Sequence, residues 1–327
     1  MNFVEYCTEI YDSLLQLKYN EVEPDFLFIT RIGKSFSNND FYIQYRKEVD
    51  ELIDNRLRRF SDDLNLMREL KSITYYEKSI ALFTCFLICW IYHNEVEFTS
   101  EELSKLSELL YIGTIGYRLF DVHYDQNILG KEAAILGNYM LHLFDQEALE
   151  LFNDKNTLSI LNYHLANYTE AEFLEKRNVW KSCPFKWDEL ELYVQKTAPL
   201  FSILELLFRK SNLSEVKITN LMKGFVHASI ANQLMDDFVD AEEDLNSGIE
   251  SLIMSGYFKK YGTDNKAALD KVENFLTEKK IQFFYNKVQS LFDQARILFT
   301  DNDDDILLLY TEILNMKFNL DMAELKS

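Results

Sequence analysis

Apolar residues along this chain recur at helical spacing nearly throughout. Segments such as EVDELIDNRLRRFSDDLNLMREL (48–70), VENFLTEKKIQFFYNKVQSLFDQARILF (272–299) and ILLLYTEILNMKFNLDMAEL (306–325) place apolar side chains at intervals of three and four, the period of one helix face. Short alternating runs bounded by turn residues, the mark of strands, are almost absent. One segment departs from the amphipathic pattern: IALFTCFLICWIY, Ile80 to Tyr92, is apolar on every face. It is shorter than the roughly 20 residues of a membrane span and lies far from the N-terminus, where a signal peptide would be, so it predicts a helix buried at the centre of a helical domain. With three prolines and nine glycines in 327 residues, little interrupts these helices. Breaks are expected near Glu23-Pro24, Ser182-Cys183-Pro184, Ser211-Asn212-Leu213 and Gly262-Thr263-Asp264. No internal repeat, low-complexity tract or linker divides the chain, which predicts an all-α protein with a single domain over residues 1–327.

Charge narrows the partners. Lys and Arg number 34 against 54 Asp and Glu, a net charge of -20, which argues against nucleic acid or an anionic membrane surface. An anionic substrate would need a local source of positive charge. Cys7, Cys85, Cys89 and Cys183 form no CxxC pair, so neither a zinc site nor a disulfide framework is expected, and a reducing cytoplasm fits. No transmembrane segment is predicted. A homodimer is compatible with the sequence, which does not itself fix an oligomeric state.

The densest acidic text is ANQLMDDFVDAEEDLNSG, residues 231–248. On a helix, Asp236, Asp240 and Asp244 follow one another at i, i+4 and i+8, with Glu243 beside the last and Gln233 a turn earlier. Carboxylates at that spacing repel, so either the face is solvated or a cation stands against it. A second pair occurs in GYRLFDVHYDQ, where Asp121 and Asp125 are again i,i+4 and Arg118 precedes them by one turn. Two helices each bearing an aspartate pair could form an open, oxygen-lined site suited to magnesium, which keeps several waters and binds through one or two carboxylates plus substrate phosphates. The run Asp301-Asn302-Asp303-Asp304-Asp305 with Glu312 mimics part of a calcium loop, but Ile306 stands where that loop needs glycine, so helix N-capping is the expectation. His123 and His227 lie beside the motifs and are assigned no role.

Three of these stretches carry a family resemblance. Gln233-Leu234-Met235-Asp236-Asp237-Phe238-Val239-Asp240 resembles the FQxxDDxxD motif of polyprenyl diphosphate synthases. Asp240-Ala241-Glu242-Glu243-Asp244 with Gly248 is similar to the DxxEDxxxG of squalene and phytoene synthases, as Arg118 to Asp125 is to their RxxDxxxD. Lys196-Thr197-Ala198-Pro199-Leu200-Phe201 resembles the KTAxLF segment of polyprenyl synthases. Order and spacing agree over about half the chain, Tyr111 to Tyr261, with the class I trans-isoprenoid synthases.

The resemblance implies a helical bundle of the isoprenoid synthase type with a central active-site cavity, a prenyl diphosphate substrate and Mg2+ as cofactor. It implies metal ligation by Asp121, Asp125, Asp236, Asp237, Asp240, Glu243 and Asp244, with Asp121, Asp125, Asp236 and Asp240 as the catalytic set, and Asp121 facing Asp240 across the cavity. Diphosphate contacts would come from Arg118, Lys196, Gln233 and the pair Lys259 and Lys260 in GYFKKYG. The basic GGKRxRP-like segment with which elongating enzymes hold isopentenyl diphosphate is absent, and so is the YLP that follows the second motif of coupling enzymes. What both branches share is ionisation of an allylic prenyl diphosphate, the step with which terpene synthases begin. The expectation is therefore a terpene synthase or cyclase, with two alternatives: a prenyltransferase that couples head to head or elongates, and a catalytically inactive helical partner subunit.

Overall fold

The computed structural model describes residues 2–19, 39–58, 78–121, 130–176, 190, 194–239 and 278–324. Among these, all regular structure is helical: α1 (Phe3–Tyr19), α2 (Asn39–Leu57), α3 (Lys78–His93), α4 (Ser100–Asp121), α5 (Gly130–Phe152), α6 (Thr157–Lys176), a 3-10 turn (Gln195–Thr197), α7 (Ala198–Lys210), α8 (Glu215–Val239), α9 (Glu278–Asp301) and α10 (Asp305–Glu324). The all-α expectation holds. None of these helices is long and apolar enough to cross a membrane.

Helix ends follow their local chemistry. Thr99 and Glu102 form a reciprocal box at the start of α4: Thr99 N donates to Glu102 Oε2 at 2.7 Å, and Glu102 N donates to Thr99 Oγ1 at 3.2 Å. Hydrogen bonds from the Thr99 backbone and side chain favour the charged carboxylate and hold the Glu102 pKa below its ordinary value. Asn2 and Glu5 form the same kind of reciprocal box at the start of α1, with bonds of 2.7 and 2.9 Å. Between α7 and α8 the chain breaks at Ser211 and Asn212 as the sequence predicts, with Asn212 in the left-handed region at φ 59°. The 301–305 run also behaves as expected. Asp304 Oδ1 accepts from Leu307 N at 2.9 Å and caps α10, while Asp303 turns the chain at φ 51°.

The chain divides into two compact units, residues 1–161 with 202–212 and residues 162–201 with 213–327. In the first, α3 is the buried helix the sequence predicts. Phe83 and every residue from Cys85 to Ile91 are buried, and the Trp90 ring packs on Phe208 with centroids 5.0 Å apart. Glycines let α4 and α5 approach closely: a Cβ on Gly113 would lie 2.7 Å from the Phe144 ring, and one on Gly137 would lie 3.0 Å from the Gly116 carbonyl oxygen. Arg56 of α2 bridges both helices, with Nη2 2.7 Å from Glu108 and 2.7 Å from Glu147. Burial raises the Glu147 pKa, and the Arg56 charge opposes that rise.

In the second unit α8, α9 and α10 pack together. α9 and α10 are joined by the tight 302–304 turn and share a polar seam. Arg296 makes a bidentate pair with Glu312, Gln289 Nε2 donates to Asn315 Oδ1 at 2.9 Å, and Tyr285 OH donates to Asn319 Oδ1 at 2.9 Å. Gly224 lets α8 reach α9, since a Cβ there would stand 2.7 Å from the fully buried Phe299 ring. Gly224→Ala gains about 1 kcal/mol of helix propensity but overpacks a closed contact, at a cost of about 1–3 kcal/mol. The expected result is a lower denaturant midpoint with an unchanged slope; a higher midpoint would show that the ring yields.

Candidate functional site

The described part of the candidate site is built on α8. A helix brings residues four apart onto one face, and here two amide–carboxylate pairs result. Asn232 Nδ2 donates to Asp236 Oδ2 at 3.2 Å, and Gln233 Nε2 donates to Asp237 Oδ1 at 3.2 Å. The two aspartates differ in exposure. Asp237 is 4% exposed, whereas the Asp236 side chain keeps 43% of its surface open. Around them, Leu234 and Met235 are buried and Phe238 stacks on Phe284 of α9 at 4.9 Å, which fixes the rotation of α8.

α10 supplies the surroundings that the sequence pattern did not reveal. Lys317 Nζ lies 3.7 Å from Asp236 Oδ1, a pair formed across 81 residues of chain. Tyr310, stacked on Phe225 at 6.1 Å, lies within electrostatic reach: burial first and the Asp236 charge second hold its hydroxyl pKa above the ordinary value. Asn232 was the other residue missed. Its signal was present in the text, four residues before Asp236, whereas nothing in the sequence links Lys317 to the motif.

The remaining predicted residues fall as follows. Arg118 sits on α4 and is partly buried, and Asp121 is the last described residue of that helix. Lys196 belongs to the 3-10 turn that leads into α7, where Thr197 Oγ1 donates to the Val194 carbonyl at 2.7 Å and Pro199 occupies the first turn. Asp125, Asp240, Glu243, Asp244, Lys259 and Lys260 lie outside the described residues, as do the predicted breaks near 23–24, 182–184 and 262–264. Among the described residues no group of three or more His, Cys, Asp and Glu side chains could hold a metal ion. A cavity of about 310 Å3 lies in the first unit among Glu48, Leu52, Asn55, Ser104, Glu108 and Tyr111, and none of the predicted site residues lines it.

Comparison with protein-family models finds no match, and none is found among curated proteins. Solved structures do match. The apo form of an Arabidopsis medium/long-chain length prenyl pyrophosphate synthase superposes with a TM-score of 0.55 at 13% identity, over 84% of this chain and 99% of that one. A geranylgeranyl pyrophosphate synthase from Lactobacillus brevis superposes with a TM-score of 0.64 at 13% identity, over 83% and 94%. The fold is that of the prenyl pyrophosphate synthases. At this identity the likeness establishes architecture, and the chemistry has to be argued from the side chains. Within that fold, Asp236 offers a hard, solvent-reachable carboxylate whose charge is already met by a cation, Lys317. A carboxylate oxygen is the kind of hard donor that magnesium takes.

Proposed function

We propose that this chain is a magnesium-dependent class I isoprenoid synthase, one domain over residues 1–327, that ionises an allylic prenyl diphosphate. The observation that carries the reading is the QxxDDxxD sequence, whose residues Gln233 to Val239 lie on α8 with Asp236 reachable from solvent, in a chain with the prenyl pyrophosphate synthase fold. Magnesium, when bound, would neutralise the charge that develops on the diphosphate leaving group. Asp121, Asp125, Asp236, Asp237, Asp240, Glu243 and Asp244 are the proposed ligands. Arg118, Lys196, Gln233, Lys259 and Lys260 are the proposed contacts to diphosphate oxygens, lowering the barrier by holding positive charge and hydrogen-bond donors where negative charge builds.

The finer reading is a terpene synthase or cyclase, supported by the missing GGKRxRP-like and YLP segments. Prenyl transfer is the second reading, favoured by the names of both structural neighbours. One assay separates them: pyrophosphate release from geranyl, farnesyl and geranylgeranyl diphosphates with magnesium, followed by product analysis with and without isopentenyl diphosphate. Release without isopentenyl diphosphate, with cyclic or rearranged products, is the expected outcome. Longer linear products only when isopentenyl diphosphate is added would establish elongation. No release from any of the three would leave the fold in the service of a non-catalytic partner subunit.

A further inference from the structure

We infer that Lys317 is a counter-ion built into the candidate metal site, holding Asp236 in the ligand-free protein and competing with a divalent cation for that carboxylate. The inference rests on the proposed role of Asp236 as a ligand. Both oxygens of Asp236 are engaged, Oδ2 by Asn232 at 3.2 Å and Oδ1 by Lys317 at 3.7 Å. The two partners differ in kind. Asn232 is neutral and comes from the same helix, so it orients the carboxylate and leaves its charge in place, whereas Lys317 brings a full positive charge from α10.

The backbone under Lys317 is held firmly. The next residue, Phe318, is fully buried against Tyr285 and Phe292 of α9 at centroid distances of 5.4 and 6.4 Å, and Asn315 is tied to Gln289. The ammonium end is less confined, since the side chain is 57% exposed and Asp236 is 43% exposed. An ion pair that open is weak, which is what a displaceable counter-ion requires. It gives way when a doubly charged ion arrives.

The test counts bound Mn2+, a paramagnetic stand-in for magnesium, by the loss of the free-ion electron spin resonance signal, with and without inorganic pyrophosphate. Removing a competitor tightens the metal. Lys317→Met is expected to bind Mn2+ about two- to fivefold more tightly than the native chain, the equivalent of an exposed pair of at most about 1 kcal/mol. The gain should shrink at high salt, where such pairs are screened. Lys317→Arg, which keeps the charge, should show no gain. In an Asp236→Asn background, Lys317→Met should change nothing. Equal or weaker Mn2+ binding by Lys317→Met, in a protein whose native form binds the ion, would overturn the inference alone. Absence of Mn2+ binding by the native chain, even with pyrophosphate, would overturn both the ligand role of Asp236 and the inference built on it.

Discussion

Magnesium with pyrophosphate is expected to raise the melting temperature of the native chain by several degrees, and the Asp236→Asn, Asp240→Asn double variant is expected to lose that shift together with all turnover. A ligand that binds only the folded state stabilises it by mass action, about 2.7 kcal/mol at a hundredfold excess over its dissociation constant. Magnesium alone should shift the native protein less, because the metal needs the diphosphate as a shared ligand. Without ligand, the double variant should melt close to the native protein. Asp236 gives up only a half-exposed pair with Lys317, worth at most about 1 kcal/mol. A solvated acidic face makes the opposite forecast, no specific shift in either protein. Equal shifts for the native chain and the double variant would remove these aspartates from the site.

Trp90→Ala should cost about 3–5 kcal/mol, because it empties the centre of the first unit's core. Trp90 is the largest fully buried side chain on α3, and the Phe208 ring against it is itself fully buried, so the surroundings can collapse only partly. Trp90→Phe keeps most of the volume and should cost clearly less. Urea denaturation followed by far-ultraviolet circular dichroism measures both. A loss below about 1 kcal/mol for Trp90→Ala would mean that α3 is not the keel of this unit.

Much of the architecture was legible because it depends on neighbours in sequence. Helical spacing announced α9 and α10, the absence of any polar stripe announced the burial of α3, and the acidic run at 301–305 announced the Asp304 cap. Each is a local matter, settled by side-chain periodicity or by one side chain reaching a backbone N–H three residues on. The amide–carboxylate pairs on α8 belong to the same class, since i,i+4 spacing alone brings Asn232 to Asp236 and Gln233 to Asp237. The glycines are a mixed case. Their scarcity correctly promised long helices, but which of them sit where two helices touch, as Gly113 and Gly137 do in one unit and Gly224 in the other, depends on the partner helix.

What the sequence determined by itself is the helical class and the chemical text of the QxxDDxxD motif. Tertiary structure decided which of its two adjacent aspartates meets solvent, because the packing of Phe238 on Phe284 sets the rotation of α8 and turns Asp237 inward. It also decided what stands against Asp236. The register of α10, pinned by Phe318, delivers Lys317 to a carboxylate 81 residues away, and that meeting depends on how two helices pack, which the periodicity of either one alone does not contain.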